Sequence, residues 1–78
     1  MKFKITYFVA GMTFEAIAYG VSDAFDYVKA IVKSERNMFP NQREALDNYF
    51  AILGEMVTGK CSAFSSGSGL FEIKLETV

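Results

Sequence analysis

The chain has no histidine and no tryptophan, and only one cysteine and one proline among its 78 residues. Without histidine the commonest general base and metal ligand is missing, so triad or zinc-site chemistry would have to use rarer groups. The single cysteine, Cys61, cannot close an internal disulfide, and nothing asks for an oxidising compartment. Its activation would need a basic partner. The adjacent Lys60 would point to the other face of a strand, which leaves Cys61 as a small, unreactive outward residue. No apolar run approaches the roughly 20 residues that span a bilayer. A cytoplasmic setting with no membrane partner is expected. Charge of one sign is lacking too: the formal net charge is −1 and the eight basic residues are scattered. The basic stripe of a dedicated duplex-binding protein is therefore absent.

One targeting pattern needs weighing. Lys2, Lys4, the apolar run from Ile5 to Phe14 and the small residues Ala16 and Ala18 imitate a secretory signal with its cleavage site. Glu15 sits awkwardly beside that site, and the same residues make a good hairpin, which is the preferred reading.

What is present suffices for a core. About half the residues are apolar, eight of them Phe and four Tyr, which argues for one folded domain over residues 1–78 rather than disorder. The strongest pattern lies between Asn41 and Val57. There Leu46, Tyr49, Phe50, Leu53, Met56 and Val57 recur at three- and four-residue steps, one broad apolar stripe on a helix. Pro40 halts what precedes it, Asn41 can cap, Glu44 completes a capping-box pattern, and Gly59 is a natural stop. An earlier helix is expected from a Ser22 N-cap to about Ser34. Asp23 and Asp26 stand near its positive end, and Ala24, Phe25, Val28, Ile31 and Val32 form its buried stripe, with Tyr27 at the border. Residues 35–40 connect the two helices.

Strand patterns flank this helix pair. From Lys2 to Ala10 the residues alternate, with Phe3, Ile5, Tyr7 and Val9 on one side. Gly11-Met12 suits a type II′ turn, which would set Val9 opposite Phe14, Tyr7 opposite Ala16 and Ile5 opposite Ala18. Near the other end Phe71, Ile73 and Leu75 alternate with Glu72, Lys74 and Glu76. A shorter strand over Lys60–Phe64 precedes them across a Ser/Gly loop at 65–69, expected to be mobile, with Gly67-Ser68 as the turn and Phe64 facing Phe71. The order ββααββ folds most simply as an α+β domain, a four-stranded antiparallel sheet with both helices packed on one face. Sheet order 2-1-4-3 is expected, because the most apolar strands belong at the centre and the short, Gly-rich ones at the edges.

Motifs with chemistry are few. Gly54 to Lys60 matches Gly-x-x-x-x-Gly-Lys, but Cys61 stands where a P-loop needs Ser or Thr, and a helix precedes where a strand should. Asp23 with Asp26, and Glu44 with Asp47, share helix faces as acid/base pairs could, yet both sit in first turns where capping explains them. The chain is accordingly read as not an enzyme, with no catalytic residue, cofactor or metal.

Elimination leaves interaction. The face of the first hairpin away from the helices would carry Lys4, Phe8, Ile17 and Tyr19, too apolar for a solvated sheet face, and these four are the candidate partner-binding residues. The function expected is a small non-catalytic protein–protein interaction domain that docks through this face or an edge strand. An accessory protein of a phage or mobile element that binds and inhibits a host protein would suit its size. A homodimer or larger homo-oligomer could bury the same residues. Binding of single-stranded nucleic acid, with Phe8 and Tyr19 stacking beside Lys2, Lys4 and Lys74, ranks lower because Glu15, Glu72 and Glu76 would share the face.

Overall fold

Period-two alternation at both ends of the chain and period-three-to-four repeats in its middle give two hairpins and a helix pair. The computed structural model describes residues 1–78. Strands β1 (Lys2–Val9) and β2 (Met12–Tyr19) are followed by helices α1 (Val21–Ser34) and α2 (Gln42–Val57), then by strands β3 (Ala63–Ser68) and β4 (Phe71–Thr77). The four strands form one antiparallel sheet in the order β2-β1-β4-β3, with the most apolar strands at its centre. Twelve residues are buried and all are apolar, among them Phe3, Ile5, Ile73 and Leu75 from the central strands and Val28, Val32, Leu53 and Met56 from the helices. No helix is long and apolar enough to cross a membrane.

The first hairpin turns one step earlier than its sequence suggests. Ala10 and Gly11 occupy the turn with φ of 49° and 82°, and Val9 pairs with Met12 rather than Phe14. Two positive φ values are the signature of a type I′ turn, whose twist matches that of the strands. The displacement is of two residues, so every side chain keeps its face. Large still meets small where α1 covers the sheet, at Phe3 with Ala18 and Ile5 with Ala16, but Tyr7 now meets Phe14.

The second hairpin differs more. The Ser/Gly stretch is strand, not loop: Ser65 to Ser68 all pair with β4, Phe64 lies opposite Leu75, and Gly69-Leu70 makes the turn. Gly69 has φ 63° while Leu70 is not positive, so glycine holds the first central position that a type II′ turn favours. Intrinsic strand propensity here is low. Pairing along β4 makes the strand. Cys61 precedes β3 and packs partly buried against the core rather than pointing outward.

The helix ends follow local rules, with one departure at the start of α1. Asn41 caps α2 by accepting the Glu44 N–H at 3.1 Å, and Glu44 Oε2 accepts from Asn41 Nδ2 at 3.2 Å. At α1 the N-cap is Gly20, φ 108°, and Ser22 lies inside the helix. Asp23 supplies the anchor instead by accepting the Tyr19 N–H at 3.0 Å. On α2, Tyr49, Leu53 and Met56 face the core, whereas Phe50 and Val57 are exposed. Six apolar residues subtend a wider arc than the sheet can cover. Phe50 packs edge-on against Phe25 of α1, with ring centroids 5.1 Å apart.

One turn position and one strand glycine make the two hairpins testable. Ala10→Asn relieves a left-handed alanine and should raise stability by about 0.5–1 kcal/mol, read as a higher urea midpoint at unchanged slope. Gly67 has φ 141°, and a Cβ there would lie 2.2 Å from the Phe71 carbonyl oxygen and 2.6 Å from Glu72 Cα. Both obstacles are backbone. Gly67→Ala is therefore expected to lose about 2–3 kcal/mol in the same measurement, and an unchanged midpoint would refute this account of β3.

Candidate functional site

On a two-layer fold the surface free to act is whatever the helices leave uncovered: the outer sheet face, the two edge strands and the gaps where a helix ends before the sheet does. The outer face of the β1–β2 hairpin carries the cross-strand pairs Lys2–Tyr19, Lys4–Ile17, Thr6–Glu15 and Phe8–Thr13. Lys4 and Ile17 are thus direct neighbours, and Tyr19 lies one step along. Lys4 Nζ reaches Glu15 Oε1 at 3.7 Å, and Lys2 Nζ stands 5.6 Å from the centre of the Tyr19 ring. Ile17 is 42% exposed and Tyr19 70%. Phe8 does not join them. It sits four residues beyond Lys4, about 13 Å along the strand, with the Thr6–Glu15 pair between.

The hairpin tip adds Phe14, expected from the sequence on the inner face opposite Val9, and Met12, expected in the turn. Met12 and Phe14 are on the inner side yet more than half exposed, because α1 covers the Ala16 and Ala18 end and leaves the tip bare. Phe14 stacks on Tyr7 with centroids 5.9 Å apart. With Tyr27 and Ile31 of α1 these rings border a groove of about 240 Å³. The signal that could have found them is the turn: an Ala10-Gly11 turn brings Phe14 opposite Tyr7 instead of Ala16.

β2 is an edge strand eight residues long with one charged side chain, Glu15. Because Val9 and Met12 flank a two-residue turn they exchange hydrogen bonds, so the even-numbered residues of β2 bond to β1. Thr13, Glu15, Ile17 and Tyr19 direct their backbone groups away from the sheet. The Tyr19 N–H accordingly finds the Asp23 carboxylate. Asp23 closes that end of the edge and leaves three steps open.

The opposite edge has a gap of its own. Between α2, the turn at Arg36–Met38 and the inner side of β3 lies a cavity of about 320 Å³, bordered by Phe39, Tyr49, Ile52, Phe64, Ser66 and Phe71 among others. Tyr49 and Ser66 share a hydroxyl–hydroxyl hydrogen bond of 2.5 Å. Burial pushes the Tyr49 phenol above its usual range, against the smaller opposing effect of that bond.

Several titratable groups have structural roles. Asp23 and Glu44 serve helix starts, and Asp26 pairs with Lys29 at 3.5 Å. Gly54 to Lys60 spans the carbonyl end of α2, which repels phosphate. No three acidic, cysteine or histidine side chains gather as a metal site would require. Tyr7 donates its phenolic proton to Glu35, linking β1 to the end of α1. Burial first, and then the Glu35 carboxylate, push its pKa up to about 12. The phenol is therefore a protonated donor at neutral pH. Comparison of the chain with protein-family models, with curated proteins and with solved structures returns no match.

The Tyr7 shift gives a pH prediction. An unfolded tyrosine ionises near pH 10 and the folded one near 12, so the folded state holds the proton longer. The stabilisation is complete below pH 10 and is lost as pH rises from about 10 to about 12. Urea melts should show a steeper decline over that window for the native chain than for Tyr7→Phe. The 295 nm absorbance titration of the native chain minus that of Tyr7→Phe should have its midpoint near 12; a midpoint near 10 would remove the part-buried Tyr7–Glu35 contact.

Proposed function

We propose that the chain is a non-catalytic protein-interaction domain that docks through β2, using the open strand edge together with the apolar side chains on both its sides. The observation that carries this reading is an edge strand of eight residues with almost none of the usual protection. Natural edges are blunted by lysine, proline, bulges or short length; β2 has Glu15 within it and Asp23 at one end. Strand addition at Thr13, Glu15 and Ile17 supplies main-chain hydrogen bonds, and Met12, Phe14, Ile17 and Tyr19 supply side-chain anchors to either side. Lys4 borders this surface next to Ile17, and Phe8 falls outside it.

Two occupants suit such an edge, a strand of another protein or β2 of a second copy. The charge pattern favours both over nucleic acid. Lys4 and Lys74 are paired with Glu15 and Glu76 on the outer face, which leaves little net positive potential for phosphate. An accessory factor of a phage or mobile element that inhibits a host protein by occupying its pairing surface is the role this economy of size suits.

Proline at position 15 separates edge from core, because the Glu15 N–H points away from β1 and its loss costs no ladder bond. Glu15→Pro and Ile17→Asp should leave the far-ultraviolet spectrum intact. Each should weaken a nuclease-resistant complex captured from host lysate, or the self-association seen by light scattering, by at least about tenfold. Full retention of both complex and dimer in both variants would eliminate β2. Material released by nuclease would transfer the reading to nucleic acid.

A further inference from the structure

The second edge of the sheet differs from the first in having a cavity beside it, and that pairing of features carries an inference independent of β2. The central strands fill the inner face with Phe3, Ile5, Phe71, Ile73 and Leu75. β3 presents Phe64, Ser66 and Ser68 to the same layer, and α2 cannot close the volume that the two serines leave. The result is the 320 Å³ cavity, lined by no charged side chain.

The strand that walls this cavity also has a free backbone edge. Thr77 donates its N–H to the Ser62 carbonyl at 2.9 Å, so the bonds between β3 and β4 run through the even-numbered residues of β3. The N–H and C=O groups of Ala63, Ser65 and Gly67 point outward. None of these three residues has a side chain large enough to screen the edge.

The outer side of this edge carries Glu76, Lys74 and Glu72 opposite Ala63, Ser65 and Gly67. The chain's ion pairs join Lys4 to Glu15, Lys29 to Asp26 and Lys74 to Glu76, which leaves Glu72 and Glu44 without a cation. Glu72 lies opposite Gly67, so no side chain stands between it and a strand added at β3. Glu44 borders a smaller hollow that shares Met38, Phe39, Ala45 and Asn48 with the main cavity.

We infer that the groove between β3 and α2 is a binding site for an extended peptide segment of a partner protein in which large apolar residues alternate with basic ones. The segment adds to β3 through Ala63, Ser65 and Gly67. One apolar side chain enters the cavity between Tyr49, Ile52 and Phe64. Alternate residues point to the outer face, where a lysine or arginine reaches Glu72 across the bare Gly67 backbone. The uncharged lining inside and the unpaired Glu72 carboxylate outside select an apolar residue beside a basic one over an acidic or wholly apolar strand.

The probe is a capped heptapeptide, Ser-Lys-Val-Lys-Phe-Lys-Ser, titrated into the isotopically labelled chain and followed by amide chemical shifts and hydrogen exchange. Saturable shifts at Ala63, Ser65 and Gly67, with slowed exchange at those amides and shifts at Ile52 and Phe64, are expected. Replacing the peptide's Phe by Asp, or its three lysines by Glu, should each weaken binding at least tenfold. Ser66→Leu fills the cavity from the strand and Ala45→Leu from the helix, and a variant that stays folded should bind at least tenfold less. If neither folds, the peptide replacements decide alone. Absence of saturable shifts at β3, shifts confined to Met12–Tyr19, or equal binding of the Phe and Asp peptides overturns the inference, and none of these outcomes bears on the β2 variants.

Discussion

Everything in this domain rests on one apolar layer, the contact between the inner faces of β1 and β4 and the buried stripes of the two helices. Eleven of the twelve buried residues belong to it, and the twelfth, Ala18 of β2, borders it. A chain this short hides a smaller share of its surface on folding than a larger one does, so there is no second core to share the load. Removing a side chain such as Leu53 or Ile73 takes away about 2–5 kcal/mol, a large part of what a domain this small can have. The sheet must therefore place its most apolar strands under the helices. That requirement fixes β1 and β4 at the centre and pushes β2 and β3 outward.

The two edges meet this constraint in opposite ways. β2 has more apolar surface than the helices cover, and the surplus emerges at Met12, Phe14, Ile17 and Tyr19. β3 has less than its position could bury, and the deficit is a cavity beside Ser66. Surplus on one side and deficit on the other are both local departures from a filled two-layer sandwich. Their cause is the composition of single strands: one aromatic residue in β3, at Phe64, against Phe14 and Tyr19 with Met12 and Ile17 in β2.

The element order, the strand order and the start of α2 were legible because each depends on periodicity or on a short-range cap. Asn41 and Glu44 signal their contact within four residues. The register of the first hairpin was not legible from hydrophobic pattern, since a slip of two residues keeps every side chain on its face; the backbone of Ala10, taken into the left-handed region, decides it. β3 was misplaced because nothing in Ser65 to Ser68 favours a strand apart from the partner it pairs with. These two errors reached the candidate site. The expected cluster of Lys4, Phe8, Ile17 and Tyr19 resolves into a trio, with Phe8 about 13 Å along β1. The bare tip at Phe14 and the cavity at Ser66 depend on where helices end over a sheet, which no local pattern records.

The central pairing also orders events in time. β1 and β4 are the first and last strands, and Val78 donates its N–H to the Lys2 carbonyl at 3.1 Å. As the chain leaves the ribosome, the segments of the β1–β2 hairpin and of both helices emerge before the strand that completes the middle of the sheet. Until β4 arrives, β1 has a second open edge and the helices lack half of their platform. The nascent chain thus passes through a state with two adhesive strand edges on one hairpin, the condition in which a neighbouring chain or a chaperone competes with the chain's own final strand.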